Sequence, residues 1–191
     1  MREGGALNPT WRGTLGPPAL RSAVVYLLGE LGRIEEEQLA AEAAAGFDFP
    51  YDGTWLSAMA NLLDAAVTVQ DRAAARTLVE PVAPFAGHVI VPGGVKANGA
   101  IARPLARAAT LLGDYDQAEE WFAIAHDIHD RLQAPYWTAL GQLDHADLCL
   151  ARHADGDLER ARDLAQTAAA TAAEYGCVGL TTRAVALLAK L

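Results

Sequence analysis

Three alanines, Ala75, Ala118 and Ala161, stand 43 residues apart each time, and each holds the same place in a similar segment: VQDRAAARTLVEPVA, LGDYDQAEEWFAIAH and DGDLERARDLAQTAA. LGRIEEEQLAAEAA is an earlier variant of the same segment. A fixed period of this length fits a unit of two helices, and an alanine kept at one place in the unit marks a close crossing of helices. Elsewhere apolar residues recur at three- and four-residue spacing, alanine and leucine dominate, and β-branched runs are scarce, which is the pattern of amphipathic helices. The chain therefore reads as all-α, an α-solenoid of about four helical hairpins closed by a C-terminal capping helix. Helices are expected over 18–31, 35–45, 55–69, 72–83, 99–112, 115–132, 136–152, 158–175 and 179–190.

At 191 residues and 52% hydrophobic content, one domain over 1–191 is expected, with 1–16 irregular. The helix stops are legible. Gly113 suits a left-handed cap, Asp114 suits the next N-cap with Gln117 at capping-box spacing, and Gly176 ends the helix before it. Pro50, Pro84, Pro92 and Pro135 fall between helices, whereas Pro104 lies inside a helical pattern and implies a late start or a kink. In helix 115–132, Ala118, Phe122, Ala125 and Leu132 line one face, flanked by Trp121, Ile124 and Ile128. In the last helix, the stripe Leu180, Ala184, Leu187 and Leu188 is expected to pack on helix 158–175 and to close the stack.

A net charge of −9 repels phosphate backbones and anionic lipid heads, which argues against a nucleic-acid partner. No stretch reaches the ~18 apolar residues of a membrane span, and MREGGALNPTWRG has no apolar signal region. Cys149 and Cys177 match neither a redox pair nor a zinc pattern. A cytoplasmic protein with reduced thiols is the expectation.

Residues 89–104, VIVPGGVKANGAIARP, outline a phosphate loop. A Walker site needs G-x-x-x-x-G-K-[ST], but Gly94 is followed by Val95, Lys96 and Ala97, so the spacing fails and the magnesium hydroxyl is missing. The stretch reads instead as an ordered connector, with Val89, Ile90 and Val91 tucked against the neighbouring repeat. His126 and His129 are spaced i, i+3 with Asp130 next to the second, and Asp144 and His145 lie on the following helix. That spacing permits a metal, against the plainer reading of His129 as a hydrogen-bonded core histidine. The only serines, Ser22 and Ser57, sit in no nucleophile elbow, and the acid runs read as solvated helix surface. No cofactor and no catalytic group is expected.

The stretch Leu112-Gly113-x-Tyr115-x-x-Ala118-x-x-x-Phe122-x-x-Ala125 resembles the second half of a tetratricopeptide repeat, though the period is longer than that repeat's usual ~34 residues. Together with LGELGR (28–33), DGTWLSAMANLLDAA (52–66), the glycine connector and DLERARDLAQTAAATAAEYG, it makes the chain from about Gly29 onward resemble the helical C-terminal region of large bacterial regulators. These carry ATPase modules of the AAA or STAND type, with adenylate cyclase or LuxR-type DNA-binding domains. The resemblance implies a right-handed solenoid whose first helices line a concave groove. It places Arg103 and Arg107 there, with Ser57, Ala60, Asn61 and Asp64 from the preceding repeat. Two arginines in an acidic chain suit a partner's carboxylate or phosphate, unless they pair internally with Asp64. The expected function is a non-enzymatic interaction or scaffold module that binds a protein, a peptide or another domain of a larger regulator, with self-association left open. The alternative is a small-ligand sensor, as in maltose-type activators, with a closed pocket lined by Trp55, Tyr136 or Trp137.

Overall fold

The computed structural model describes residues 23–24, 46–91 and 98–191. Seven α-helices run in order: α1 (Trp55–Thr68), α2 (Arg72–Val82), α3 (Ala102–Leu112), α4 (Tyr115–Arg131), α5 (Pro135–Arg152), α6 (Asp157–Glu174) and α7 (Val178–Leu188), with a 3-10 turn at Ala83–Phe85. Among the described residues no strand forms, and no helix is long and apolar enough to cross a membrane. The expected segments 1–16, 18–31 and 35–45 lie outside the described residues except for Ala23 and Val24, which are helical, and so do residues 92–97 of the glycine connector.

Each helix packs on the next in the chain, and the odd-numbered helices also meet in series, α1 with α3, α3 with α5 and α5 with α7. The recurrent Ala75, Ala118 and Ala161 are all fully buried. Core filling changes along the molecule. Around α1 to α3 it uses large side chains: Phe47, Phe49, Leu62, Leu63, Leu78, Ile101 and Leu105. Around α4 to α7 the stripe Ala161, Ala165, Ala168 and Ala172 of α6 faces Phe122, Leu143 and Leu148. Burying a leucine or phenylalanine stabilises by about 1.5–3 kcal/mol, so the C-terminal half relies more on close helix approach.

Local chemistry explains most boundaries. Gly113 caps α3 in the left-handed region and Gly176 ends the α6 turn with φ of 68°. Asp71 caps α2 by accepting from Ala73 N and Ala74 N at 3.0 and 2.9 Å. Asp114 makes no such side-chain bond, and Gln117 donates to Glu120 Oε2 at 2.9 Å instead, so the expected capping box does not form. Pro104 falls in the first turn of α3, which starts at Ala102 rather than 99, where a missing N–H costs least. Pro81 lies inside the last turn of α2. On α4 the buried stripe is Ala118, Phe122, Ala125 and His129, while Leu132 and Ile124 are exposed, contrary to the expected apolar face.

The late start of α3 follows from the connector. Val89 and Ala100 form an antiparallel bridge, and Ile90 N, Asn98 N and Ile101 N donate to Gly99 O, Ile90 O and His88 O at 2.9, 2.7 and 2.9 Å. Ile90 is buried, Val89 packs on the core and Val91 is exposed, so two of the three apolar residues tuck in as expected. Gly99 has φ of 81°, and a Cβ there would stand 2.8 Å from the Trp137 ring. This glycine is required for backbone conformation and close packing.

Candidate functional site

The odd-numbered helices each contribute one charge to a continuous ladder. Asp64 of α1 accepts from Arg103 Nη2 of α3, Arg103 Nη1 donates to Asp144 Oδ2 of α5 at 2.7 Å, and Arg183 Nη2 of α7 donates to Asp144 Oδ1 at 2.7 Å. Two side rungs thicken it: Arg107 Nη1 donates to Asp64 Oδ1 and its Nε stands 3.6 Å from Asp144 Oδ1, while Arg183 Nη2 also reaches Asp147 Oδ2 at 2.6 Å. Burial pushes the Asp144 carboxyl up, but Arg107, Arg183 and Arg103 outweigh it and hold it well below the usual carboxylate range. Three arginines face three aspartates, so the ladder is neutral overall.

Arg103 is 3% exposed between its two carboxylates, with its guanidinium carbon 5.8 Å from the Trp137 ring centroid. That corrects the expectation of Arg103 as an anchor for a partner's anion: its charge is met internally, and the alternative of a pair with Asp64 holds. Asp64, Arg103, Arg107 and Trp137 are brought together. Asn61 is half-buried one turn before Asp64 and stays out of the ladder. Trp55 packs instead on Tyr51 and Phe85, at ring distances of 4.9 and 5.9 Å.

Two open cavities flank the ladder. One, of about 510 Å³, is lined by Arg103, Arg107, Tyr136, Asp144, Cys177 and Arg183 among others. The other, of about 700 Å³, reaches from Val67 and Arg72 past Thr110 and Tyr115 to Asp147, and it shares Arg107, Asp144 and Arg183 with the first. Neither Asn61 nor Trp137 lines them. Among the described residues Arg107 Nη2 and both Nε and Nη1 of Arg183 make no hydrogen bond, and Arg183 is 34% exposed. The chemistry available to a ligand is therefore the outer edge of Arg107 and Arg183, with Asp147 as a displaceable counter-ion.

A second polar cluster lies between α4, α5 and α6. Glu119 accepts from Arg160 Nη1 at 2.7 Å and from Arg160 Nη2 at 3.1 Å, pairs with Arg152 at 3.0 Å, and faces His145 Nε2 at 2.9 Å. His145 Nδ1 lies 3.2 Å from His126 Nε2, and the Phe122 ring stacks on His145 at 4.7 Å. Burial raises the Glu119 carboxyl, but Arg160 and His145 outweigh it and keep it ionised. Burial lowers His145 to about 4 and lowers His126 as well. With both rings neutral, His145 Nε2–H donates to the carboxylate, His145 Nδ1 then accepts from His126 Nε2–H, and the His126 lone pair is left on Nδ1.

His129 stands apart from this chain. Its Nε2 accepts from Ala100 N at 2.9 Å, and burial together with Arg103 lowers its pKa to about 4, so the ring proton is on Nδ1. A nitrogen that carries the proton has no lone pair for a metal, which removes His129 from the His126, His129 and Asp130 ligand set. Asp130 is exposed, and among the described residues no group of three or more His, Cys, Asp or Glu side chains is placed to hold a metal ion. The hydrogen-bonded core histidine is the reading the geometry bears out.

Sequence reasoning missed Arg183 and Asp147 and assigned Asp144 and His145 to a different task. A signal was present: the ladder's direct bonds join residues 39, 41 and 39 positions apart, close to one repeat, with the sign alternating each time. No family model matches the chain, and neither a curated protein nor a solved structure matches it.

Proposed function

We propose that this chain is a non-enzymatic interaction module, a right-handed solenoid of tetratricopeptide-like hairpins whose odd-numbered helices line a groove for a peptide segment or another domain. The observation that carries the reading is the pair of cavities sharing Arg107, Asp144 and Arg183, which run side by side across α1, α3, α5 and α7. The serial packing of those helices supports the solenoid, and the sequence motifs support a place in a bacterial signalling or transcription regulator. Arg103 acts here as a positioning residue that fixes the groove floor. Arg107 and Arg183 meet the partner, with unspent N–H groups for a carboxylate, and charge-assisted hydrogen bonds contribute about 1.5–3 kcal/mol each.

The test is to select peptides from a random display library on the full chain and to measure their affinity for variants. Arg107→Ala and Arg183→Ala should each weaken binding about tenfold or more, whereas the exposed Arg76→Ala should not. Equal affinity in all three would remove the groove from the function. A second reading, a small-ligand sensor, is favoured by Tyr136 in the wall of the 510 Å³ cavity, a volume within the usual ~300–1,000 Å³ of ligand sites. Thermal stabilisation by small carboxylates or phosphorylated sugars without peptide binding would select it.

A further inference from the structure

The two cavities beside the ladder offer a ligand opposite chemistry. In the one of about 510 Å³, the outer edges of Arg107 and Arg183 stand beside apolar Leu140, Val178 and Leu180. The carboxylate in its wall, Asp144, already meets three guanidiniums. In the one of about 700 Å³ the hydroxyl protons are spent on backbone carbonyls. Thr68 donates to Asp64 O at 2.9 Å, Thr110 to Ala106 O at 2.9 Å and Tyr115 to Ala151 O at 3.1 Å. A hydroxyl that has given its proton can still accept, so these three offer lone pairs, and the half-exposed carboxylate of Asp147 lies with them. Arg72, also in that wall, is held by the last carbonyls of α3, donating to Leu111 O and, at 2.9 Å, to Leu112 O. The negative end of that helix offsets its charge.

We propose that the groove takes a peptide segment with an acidic and a basic side chain side by side, the acid on the edge of Arg107 and Arg183 and the base in the larger cavity against Asp147. This rests on the groove being the binding site, and it deepens that reading by naming what the partner carries. Charge balance decides it. The ladder sets three arginines against three aspartates, so a lone carboxylate would leave it negative inside a chain of charge −9. Arg183 Nη2 now bridges Asp144 Oδ1 at 2.7 Å and Asp147 Oδ2 at 2.6 Å. A partner carboxylate that takes the Arg183 edge therefore arrives beside Asp147, and like charges so placed repel. A base on the same partner removes the conflict: Asp147 exchanges Arg183 for that base, and every charge keeps an opposite one. The acceptors Thr68, Thr110 and Tyr115 suit the N–H groups of a lysine or arginine. The apolar wall of the smaller cavity places an apolar side chain on the other side of the acid.

The sign of one effect tests this. Peptides selected from the display library on the full chain are first sorted by loss of affinity for Arg107→Ala and Arg183→Ala. Those that respond should carry an acid with a base beside it. For such a peptide Asp147→Ala should weaken binding about threefold or more, the scale of a partly exposed ion pair. The same substitution should strengthen binding of a synthetic copy whose base is replaced by norleucine, because Asp147 then only competes for Arg183. Asp147→Lys should prefer a copy whose base is replaced by glutamate. The half-exposed Asp147 makes no buried contact, so circular dichroism should match the parent. Responding peptides without a base overturn the proposal and leave the groove reading standing, and so does a base-bearing peptide that binds Asp147→Ala as well as the parent or better. Peptides indifferent to both arginine variants overturn the two together.

Discussion

Asp144 and His145 are consecutive residues of α5, yet they serve two clusters that handle burial in opposite ways. Asp144 joins the ladder, where every buried charge has an opposite charge on the helix one repeat away, and the Asp144 carboxyl is held well below the usual carboxylate range. His145 joins the α4–α5–α6 cluster, where one carboxylate is held by Arg160 and Arg152 at the rim and the buried rings shed their charge instead. Desolvation disfavours charge in both places. What separates them is the alternation of sign along the odd-numbered helices, which gives the ladder a counter-charge at every step. The lesson is that a repeat period can pair buried charges, whereas the contacts between α4 and α5 fall outside that register and depend on tautomers.

The sharpest way to break the comparison is Asp144→Ala, which leaves Arg103, Arg107 and Arg183 around a missing carboxylate. Removing one partner of a buried ion pair costs about 3–5 kcal/mol, and urea denaturation should show a loss in that range. The half-exposed Asp147→Ala removes only a rim contact and should cost below about 1 kcal/mol. If the two variants unfold at the same urea concentration, the ladder is not held by buried charge and the contrast with the histidine cluster fails.

Acid separates the clusters next. His145 and His129 have folded values of about 4, below the ~6.5 of an unfolded histidine. The unfolded chain therefore takes up these protons first, so this stability is complete above about pH 6.5, falls as the pH drops, and levels off near pH 4. The expected loss is roughly 3 kcal/mol for each of the two rings across that window. The Asp144 rungs of the ladder should persist throughout, since that carboxyl is held well below the usual carboxylate range. Chemical denaturation at several pH values checks this, and His145→Phe should flatten part of the slope. A stability that stays level from pH 6.5 to 4 would mean that the rings are not held neutral by burial.

Helix existence, and the starts and stops set by Gly113, Gly176 and Pro135, were legible because each rests on a local rule. So was the buried alanine at 75, 118 and 161, because its 43-residue period is a property of the chain alone. Asp64 and Arg103 were legible as a pair, but their sealing was not, because it takes Asp144 from the other side, and no local pattern in α5 separates Asp144 from a solvated acid. The capping box failed for a related reason: Gln117 has a competing acceptor in Glu120 one turn on, and spacing does not rank two partners. The outer face of α7 was not legible, because its inner stripe is clear in the sequence, whereas the exposure of its outer face depends on which helix lies across it.

The smallest effect bears on the space between the two rings of α4. Gly141 sits inside α5 opposite them, and a Cβ there would stand 3.5 Å from His126 Cε1, 3.6 Å from His129 Nδ1 and 3.7 Å from His126 Nδ1, all ordinary contact distances. Its backbone is helical, so alanine meets no strain there and gains the helix preference of about 0.5–1 kcal/mol over glycine. Gly141→Ala should accordingly raise the melting temperature by about 1–4 °C for a chain of this size. The buried His129 Nδ1 makes no hydrogen bond in the structure, so a methyl group placed beside it takes away none of the hydrogen bonds described for the cluster. A fall in melting temperature would show that the rings need that space to remain polar. The histidine cluster would then depend on more than its ring-to-ring bonds, and its difference from the ladder would be one of hydration as well as charge.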